Sequence, residues 1–300
     1  MKLKIFSFLY IVLLFAFLFF GFGLKATNAS SQLSQAPLAQ KIEILKQEIQ
    51  VLKLLISNFN LNQEISSASY MAVDLSDNSV ILEKNSATPY PIASVTKLMT
   101  AVVSLENIPM SQTITLTDQM LRPYGNTPCL FAGLKISAEN LLKAALTQSV
   151  NDAAESLSYF LGNEKFIGLM NQKAKDLGMQ NTVYYDAHGL NPANQSTPAD
   201  LAKLITYINQ QHPEILEITK NNDFWLPDSK GNFLKFQNEN YFYYIPGFLG
   251  GKTGYLPESK QTMASIFQVN GKPIAIVVLY SKNRMADIFN ILRQLKTLGK

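Results

Sequence analysis

Three short clusters in the chain carry groups that could make and break an acyl bond. The first is Ser94-Val95-Thr96-Lys97. On a helix, a spacing of three puts the serine hydroxyl and the lysine amine on one face. A lysine kept neutral by burial or by a nearby cation can take the hydroxyl proton and leave a nucleophilic oxygen. A serine at a helix start also has unpaired backbone N–H groups and the positive end of the helix dipole beside it, both suited to a developing oxyanion. The second cluster is Ser149-Val150-Asn151, a hydroxyl able to relay a proton and an amide able to bind a substrate amide. The third is Lys252-Thr253-Gly254, behind Gly250-Gly251. Its ammonium and hydroxyl can hold a carboxylate, and its glycine lets a substrate backbone approach a strand edge closely. Each cluster alone has a plain alternative: a capping serine with a solvated lysine, an ordinary turn, a loop lysine among glycines. In this order the three together are specific.

The elements that must position them can be read from local patterns. Ser69 to Leu75 and Ser79 to Lys84 flank Asp77-Asn78, a hairpin signal. A helix is predicted over 94–107, after Pro89 and Pro91, and a short strand over Thr113 to Leu116. Further helical patterns cover about 138–147, 152–160, 164–177 and 198–211. Ser137 is placed to cap the first of these. Thr197-Pro198 opens the last with a capping residue and a proline at the first helical position. Thr262 to Val269 and Pro273 to Tyr280 flank Asn270-Gly271, the strongest hairpin signal in the chain. A closing helix is predicted over 284–298. Strands early, helices in the middle and a hairpin plus helix at the end predict an α+β fold with an antiparallel sheet flanked by helices.

The three clusters, with Ala93 to Ala101, Asn151-Asp152-Ala153-Ala154, His188-Gly189-Leu190, Ser196-Thr197-x-x-Asp200-Leu201-Ala202 and Gly251 to Tyr255, resemble the serine-type D-alanyl-D-alanine carboxypeptidases. These are the low-molecular-mass penicillin-binding proteins, and the resemblance covers about residues 66–298. It implies the penicillin-recognising serine enzyme fold, a sheet with a helical subdomain, as a catalytic domain over 66–300. Ser94 would be the acylated nucleophile, Lys97 its general base, and Ser149 and Asn151 the rest of the proton and substrate network. Lys252 and Thr253, with Gly254 and Tyr255 on the same segment, would bind the terminal carboxylate of a peptide or a β-lactam. The backbone N–H groups of Ser94 and Tyr255 would form the oxyanion hole. Arg284 resembles an arginine that helps hold that carboxylate, with a surface pairing to Asp287 as its alternative. His188 looks like a structural loop residue.

The substrate implied is a peptidoglycan stem peptide, with β-lactams as covalent inhibitors and no metal or organic cofactor. A D,D-endopeptidase acting on cross-links uses the same chemistry. A class A β-lactamase would use a glutamate for deacylation, and no glutamate occurs between Glu164 and Glu214, where it would be expected. A catalytically silent peptidoglycan-binding protein is disfavoured by the intact clusters. Two departures stand out. Val150 occupies a position that is usually small in the family, and Cys129 falls, with Thr127, in a stretch where serine is common; Cys129 is assigned no function. Little chain follows the last helix, so a second C-terminal domain is not expected.

The composition sets bounds. The chain has 300 residues, a formal net charge of +4, two histidines and one cysteine. One cysteine excludes an internal disulfide framework and a cysteine-based zinc site, and His188 and His212 alone make a histidine-rich metal site improbable. Setting aside Lys2, Lys4 and Lys25 of the first 30 residues leaves 23 basic residues against 22 acidic ones. The basic balance therefore belongs to the leader and does not indicate nucleic acid. Ile5 to Leu24 is a 20-residue apolar run behind two lysines, enough to span a bilayer core of roughly 30 Å with the remainder outside. It reads as a signal-anchor over 1–24, with a cleaved signal peptide ending near Ala29 as the alternative. Either places the rest of the chain in the cell envelope, on the outer face of the cytoplasmic membrane. Residues 25–37 read as a linker. Leu38, Ile42, Leu45, Ile49, Leu52, Ile56 and Phe59 follow in a heptad seam over 38–60. That pattern suits a parallel homodimer, or a helix lying on the catalytic domain or the membrane.

Overall fold

The computed structural model describes residues 64–123, 130–227 and 233–298, all within the compact unit Asn60–Lys300. The leader, the linker, the heptad segment, Thr127 and Cys129 lie outside the described residues. Among those described, no helix is long and apolar enough to cross a membrane.

The frame is a five-stranded sheet ordered β2-β1-β11-β10-β9. In chain order these are β1 (Ser69–Asp74), β2 (Val80–Lys84), β9 (Phe248–Leu256), β10 (Lys260–Val269) and β11 (Lys272–Ser281). All the pairings are antiparallel. The β10–β11 turn forms as predicted. Asn270 and Gly271 both hold positive φ, 50° and 84°, the combination a two-residue hairpin needs to match strand twist. Asn78, also at positive φ, turns β1 into β2.

Thr262 to Phe267 and Ile274 to Leu279 are buried without a break, so both faces of the sheet are covered. Strand periodicity sorts the two faces. Ala275, Val277 and Leu279 join the large helical core. Ile274, Ile276 and Val278 point the other way, toward the C-terminal helix, Arg284–Thr297, which packs on β10 and β11. The helical layer contains α1 (Lys97–Asn107), α2 (Ala138–Thr147), α3 (Asn151–Leu161), α4 (Asn163–Asp176), α5 (Pro198–Gln211) and α6 (Pro213–Lys220); the C-terminal helix is α7. Helix α5 packs across β1, β10 and β11, and α6 runs along β9. The expected caps form: the Ser137 hydroxyl accepts from Asn140 N–H, and the Thr197 hydroxyl accepts from Asp200 N–H.

Helix α1 lies at the centre of the helical layer, with Lys97 to Ser104 all buried. It starts three residues later than its sequence pattern predicts, because Ala93–Thr96 form a 3-10 turn. Ser94 therefore sits in that turn and Lys97 at the first position of the helix. Three small pairings were not expected from the sequence: β3 (Tyr90–Pro91) with β6 (Gln195–Ser196), β4 (Thr113–Thr115) with β5 (Lys135–Ser137), and β7 (Asp223–Pro227) with β8 (Phe233–Gln237). The first two join segments far apart in the chain, and the third flanks Asp228-Ser229-Lys230-Gly231-Asn232, a turn-rich stretch between segments not predicted as strands. The β3–β6 pairing bears on the site, since it draws residues 91–94 to the segment ahead of α5.

Ile276, fully buried in β11, is a test of this frame. Ile276→Ala is expected to cost about 2–5 kcal/mol of stability through lost burial and a residual cavity, lowering Tm by roughly 5–15 °C in thermal denaturation followed by circular dichroism.

Candidate active site

The 3-10 turn bearing Ser94 is pinned from three sides. Ile92 N–H donates to Asn194 O at 3.0 Å, the Thr262 hydroxyl of β10 donates to Ile92 O at 2.9 Å, and Val95 N–H donates to the same carbonyl at 3.2 Å. Ala93 is held at φ +50°, a conformation that is costly for a residue with a Cβ. The Ser94 N–H opens a helical turn, where an amide has no intrahelical acceptor.

Lys97 is fully buried, and its amine has three neighbours: Ser94 Oγ at 3.0 Å, Asn151 Oδ1 at 2.8 Å and His188 O at 2.7 Å. The two carbonyl oxygens can only accept. A neutral amine has two N–H groups and one lone pair, so its hydrogens are taken by Asn151 and His188 and its lone pair is left facing the Ser94 hydroxyl. Burial drives the Lys97 pKa well below the ordinary lysine range; Lys252 pushes the same way, and Asp186 and Glu239 oppose. The arrangement can therefore take a proton from Ser94. Ser149, at the end of α2, is not among the groups bonded to Lys97 and holds φ +59°. Val150 is buried in the helical core rather than in the cleft, so its bulk is absorbed there.

The acceptor on His188 is positioned by a loop whose organising residues, Asp186 and Asn194, carry no motif of their own. The carboxylate of Asp186 accepts the backbone N–H groups of His188, Gly189 and Asn191 and the side-chain N–H of Asn194. Asn194, buried, also donates to Thr96 Oγ1 at 3.1 Å, tying the loop to the turn that carries Ser94. Gly189 has φ +85°, and a Cβ there would lie 2.0 Å from Ala93 O. Only glycine lets the loop close onto residues 93–94. The His188 ring takes Leu190 N–H on Nδ1, and its Nε2 lies 3.8 Å from Glu155. Burial, with Lys97, lowers the His188 pKa and favours the neutral ring, against the pull of Asp186. Its side chain is structural, as expected, while its carbonyl is part of the site.

Lys252, Thr253, Gly254 and Tyr255 all lie in β9, the edge strand of the sheet. Gly251 gives its N–H to the Thr219 hydroxyl and its carbonyl to Asn240, both away from β10. By the two-residue period of a strand, the backbone groups of Thr253 and Tyr255 face that same open side. An extended ligand backbone can bond there as an added strand. Gly254 allows the close contact with the nucleophile: a Cβ would come within 2.8 Å of Ser94 N and 2.9 Å of Ile92 O. The Tyr255 side chain is 62% exposed and turned away from the protein.

Lys252 is buried, with its amine on Thr253 O at 3.0 Å. Burial and the nearby Arg284 bring its pKa down to about 8 against the opposing field of Glu239. Arg284 does not take Asp287 as its partner. It donates from Nη1 to Gly254 O at 2.8 Å, while Asp287 accepts the hydroxyls of Ser66, Ser67 and Ser281. Arg284 thus props the Lys252–Tyr255 strand from behind and adds positive charge there. Among the described residues, no group of histidine, cysteine and carboxylate side chains is placed to hold a metal.

The chain is similar to known proteins over most of its length. The family model described as D-alanyl-D-alanine carboxypeptidase matches residues 57–283. A D-alanyl-D-alanine endopeptidase of Escherichia coli is 34% identical over 226 residues, 72% of either chain. A D-alanyl-D-alanine carboxypeptidase of Mycobacterium tuberculosis is 26% identical over 216 residues, 71% of this chain and 74% of its own. A solved penicillin-binding protein of Listeria monocytogenes, in its ampicillin-bound form, has a TM-score of 0.68 at 27% identity, covering 79% of this chain and 99% of its own.

The two lysines give the site a pH signature. A base at Lys97 must be neutral, so acylation of Ser94 should rise with pH as Lys97 loses its proton. An anion clamp at Lys252 must be charged, so acylation should fall as pH passes about 8. The expected second-order rate with benzylpenicillin is a bell, and Lys252→Arg, which keeps its charge at high pH, is expected to move the alkaline limb upward by a unit or more. Stopped-flow acylation across pH 5–10 checks both limbs.

Proposed function

This chain belongs to the D-alanyl-D-alanine carboxypeptidase family of serine peptidases, and we propose that it removes the terminal D-alanine of peptidoglycan stem peptides through an acyl-enzyme on Ser94. The observation that carries the reading is the Lys97 amine, buried and bounded by two carbonyl acceptors so that its lone pair meets the Ser94 hydroxyl.

The sequence of events follows from that contact. Lys97 takes the Ser94 proton as Oγ attacks the carbonyl carbon between the two D-alanines. The oxyanion that forms is received by the N–H groups of Ser94 and Tyr255. The C–N bond then breaks, and the leaving amine takes the proton back from Lys97, with the Ser149 hydroxyl as relay. Water, activated by the regenerated Lys97, hydrolyses the acyl-enzyme. Lys252 and Thr253 hold the terminal carboxylate, Arg284 reinforces them, and Asn151 binds the peptide amide. No step calls for a metal or an organic cofactor.

The same chemistry cuts a D,D cross-link when the leaving group is a neighbouring stem peptide. That second reading is favoured by one finding, that the 34%-identical relative from Escherichia coli is named an endopeptidase.

Fluorescent penicillin should label the wild-type protein covalently, and Ser94→Ala should abolish the label; an unlabelled wild type, or undiminished label on the variant, overturns the nucleophile assignment. A defined pentapeptide and a cross-linked dimer then separate the two peptidase readings by whether free D-alanine or a split dimer accumulates.

For the envelope location, we propose that residues 1–24 remain as a signal-anchor and that the heptads of 38–59 pair two copies on the outer face of the membrane. Support comes from the apolar run, the two lysines ahead of it and a substrate that lies outside the cytoplasm. N-terminal sequencing of the native membrane fraction should start at residue 1 or 2; a start near Ser30 overturns the anchor.

A further inference from the structure

Glu239 is the site's unclaimed charge. It is exposed, yet its neighbours Asn238 and Asn240 are both buried. The Asn238 amide donates to Thr219 O and Asn221 O, both at 2.8 Å, and its oxygen accepts Asn240 N–H. The Asn240 amide donates to Gly251 O at 3.1 Å, one residue before Lys252. Glu239 N–H itself donates to Thr147 O at 3.1 Å, two residues before Ser149. The backbone of 238–240 is thus fastened between the end of α2 and β9, the two walls of the site. Its middle side chain projects to solvent.

Among the described residues, the Glu239 carboxylate accepts no hydrogen bond and forms no ion pair. Its field nevertheless reaches Lys97, Lys252 and Arg284, and it is the acidic group that acts on both Lys252 and Arg284. Lys97 and Lys252 are buried and Arg284 is partly buried, and Lys252 and Arg284 are bonded to backbone carbonyls, so none of the three pairs with it by contact. A fixed, solvent-facing carboxylate beside an anion clamp acts in two ways on a ligand. It attracts a cation carried near the clamped carboxylate, and it repels a second anion there.

We propose that Glu239 is a specificity-determining residue, selecting a leaving residue with a side-chain ammonium group and rejecting one with a side-chain carboxylate. The inference rests on the reading above, in which Lys252 and Thr253 hold the α-carboxylate of the leaving residue and so bring its side chain to this rim. The substrate class it names is a peptide whose scissile bond follows D-alanine and whose C-terminal leaving residue carries a free side-chain ammonium.

The test uses three acyl peptides that end in D-Ala-D-Ala, D-Ala-D-Lys and D-Ala-D-Glu. Two quantities are measured with the full-length protein: kcat/KM for hydrolysis, and the potency of each peptide in competing with fluorescent penicillin for Ser94. Wild type is expected to rank the lysine peptide above the alanine peptide and the alanine peptide above the glutamate one. The lysine-to-glutamate ratio should be about tenfold at low salt and should shrink as salt screens the rim. Glu239→Gln should bring that ratio to within about twofold while still labelling with penicillin, and Glu239→Lys should reverse the order. The same ranking in wild type and Glu239→Gln overturns the inference. Charge-ranked competition without hydrolysis sustains it and overturns the carboxypeptidase reading. Hydrolysis with no charge ranking does the opposite, and peptides that neither turn over nor compete overturn both.

Discussion

The constraint on which the site depends is that Lys97 is fully buried and, among the described residues, has no carboxylate in contact. An isolated buried ammonium is among the costliest groups a protein can hold, and the usual escape is to release the proton. Here the three atoms around the amine are a hydroxyl and two carbonyl oxygens. They satisfy a neutral amine fully, whereas an ammonium would need full charge compensation that they do not supply. The position of Lys97 at the head of a helix buried from Lys97 to Ser104 therefore suits it to act as a base: burial sets the protonation state, and the two acceptors aim the lone pair. Everything that holds those acceptors in place becomes part of the chemistry, including the start of α3 and the loop from Asp186 to Asn194.

Backbone strain collects around this contact. Ala93 and Ser149, each beside or within a cluster that flanks Lys97, hold φ of +50° and +59°. Conformations of this kind cost on the order of 1–2 kcal/mol per residue and persist only where the surroundings over-determine them. The surroundings here are rigid: Ile92 is tied to β10 and to Asn194, and the turn after α2 runs directly into α3. The layered frame, with both faces of the sheet covered, supplies the stiffness that lets the two strained residues stay in place.

Much of this was legible in the sequence because it is local. Ser94 and Lys97 share a turn, Asn270-Gly271 dictates its own hairpin, and Thr197-Pro198 announces its helix. Even where α1 began three residues late, the serine and lysine stayed within reach, since a 3-10 turn and an α-helix both bring residues three apart together. What stayed hidden depends on contacts across long stretches of chain. The His188 carbonyl reaches Lys97 across 91 residues, and a backbone atom leaves no mark in residue type. Asp186 and Asn194 look like ordinary loop residues until they are seen organising that loop. Sequence does not say which way Val150, at a position usually small in the family, will face at a helix start; it faces the core. Glu239 gave no signal at all, because its importance comes from what the fold places beside it.

The row of cations also links recognition to activation. Arg284 lowers the pKa of Lys252, and Lys252 lowers that of Lys97. With a pKa of about 8, Lys252 is only partly charged in slightly alkaline conditions. A carboxylate bound beside Lys252 would keep that lysine charged to higher pH, but it would also bring a negative charge toward Lys97 and offset part of the push from Lys252. The neutral form of Lys97 therefore rests first on burial, which a ligand that excludes water only deepens, and second on the neighbouring cation.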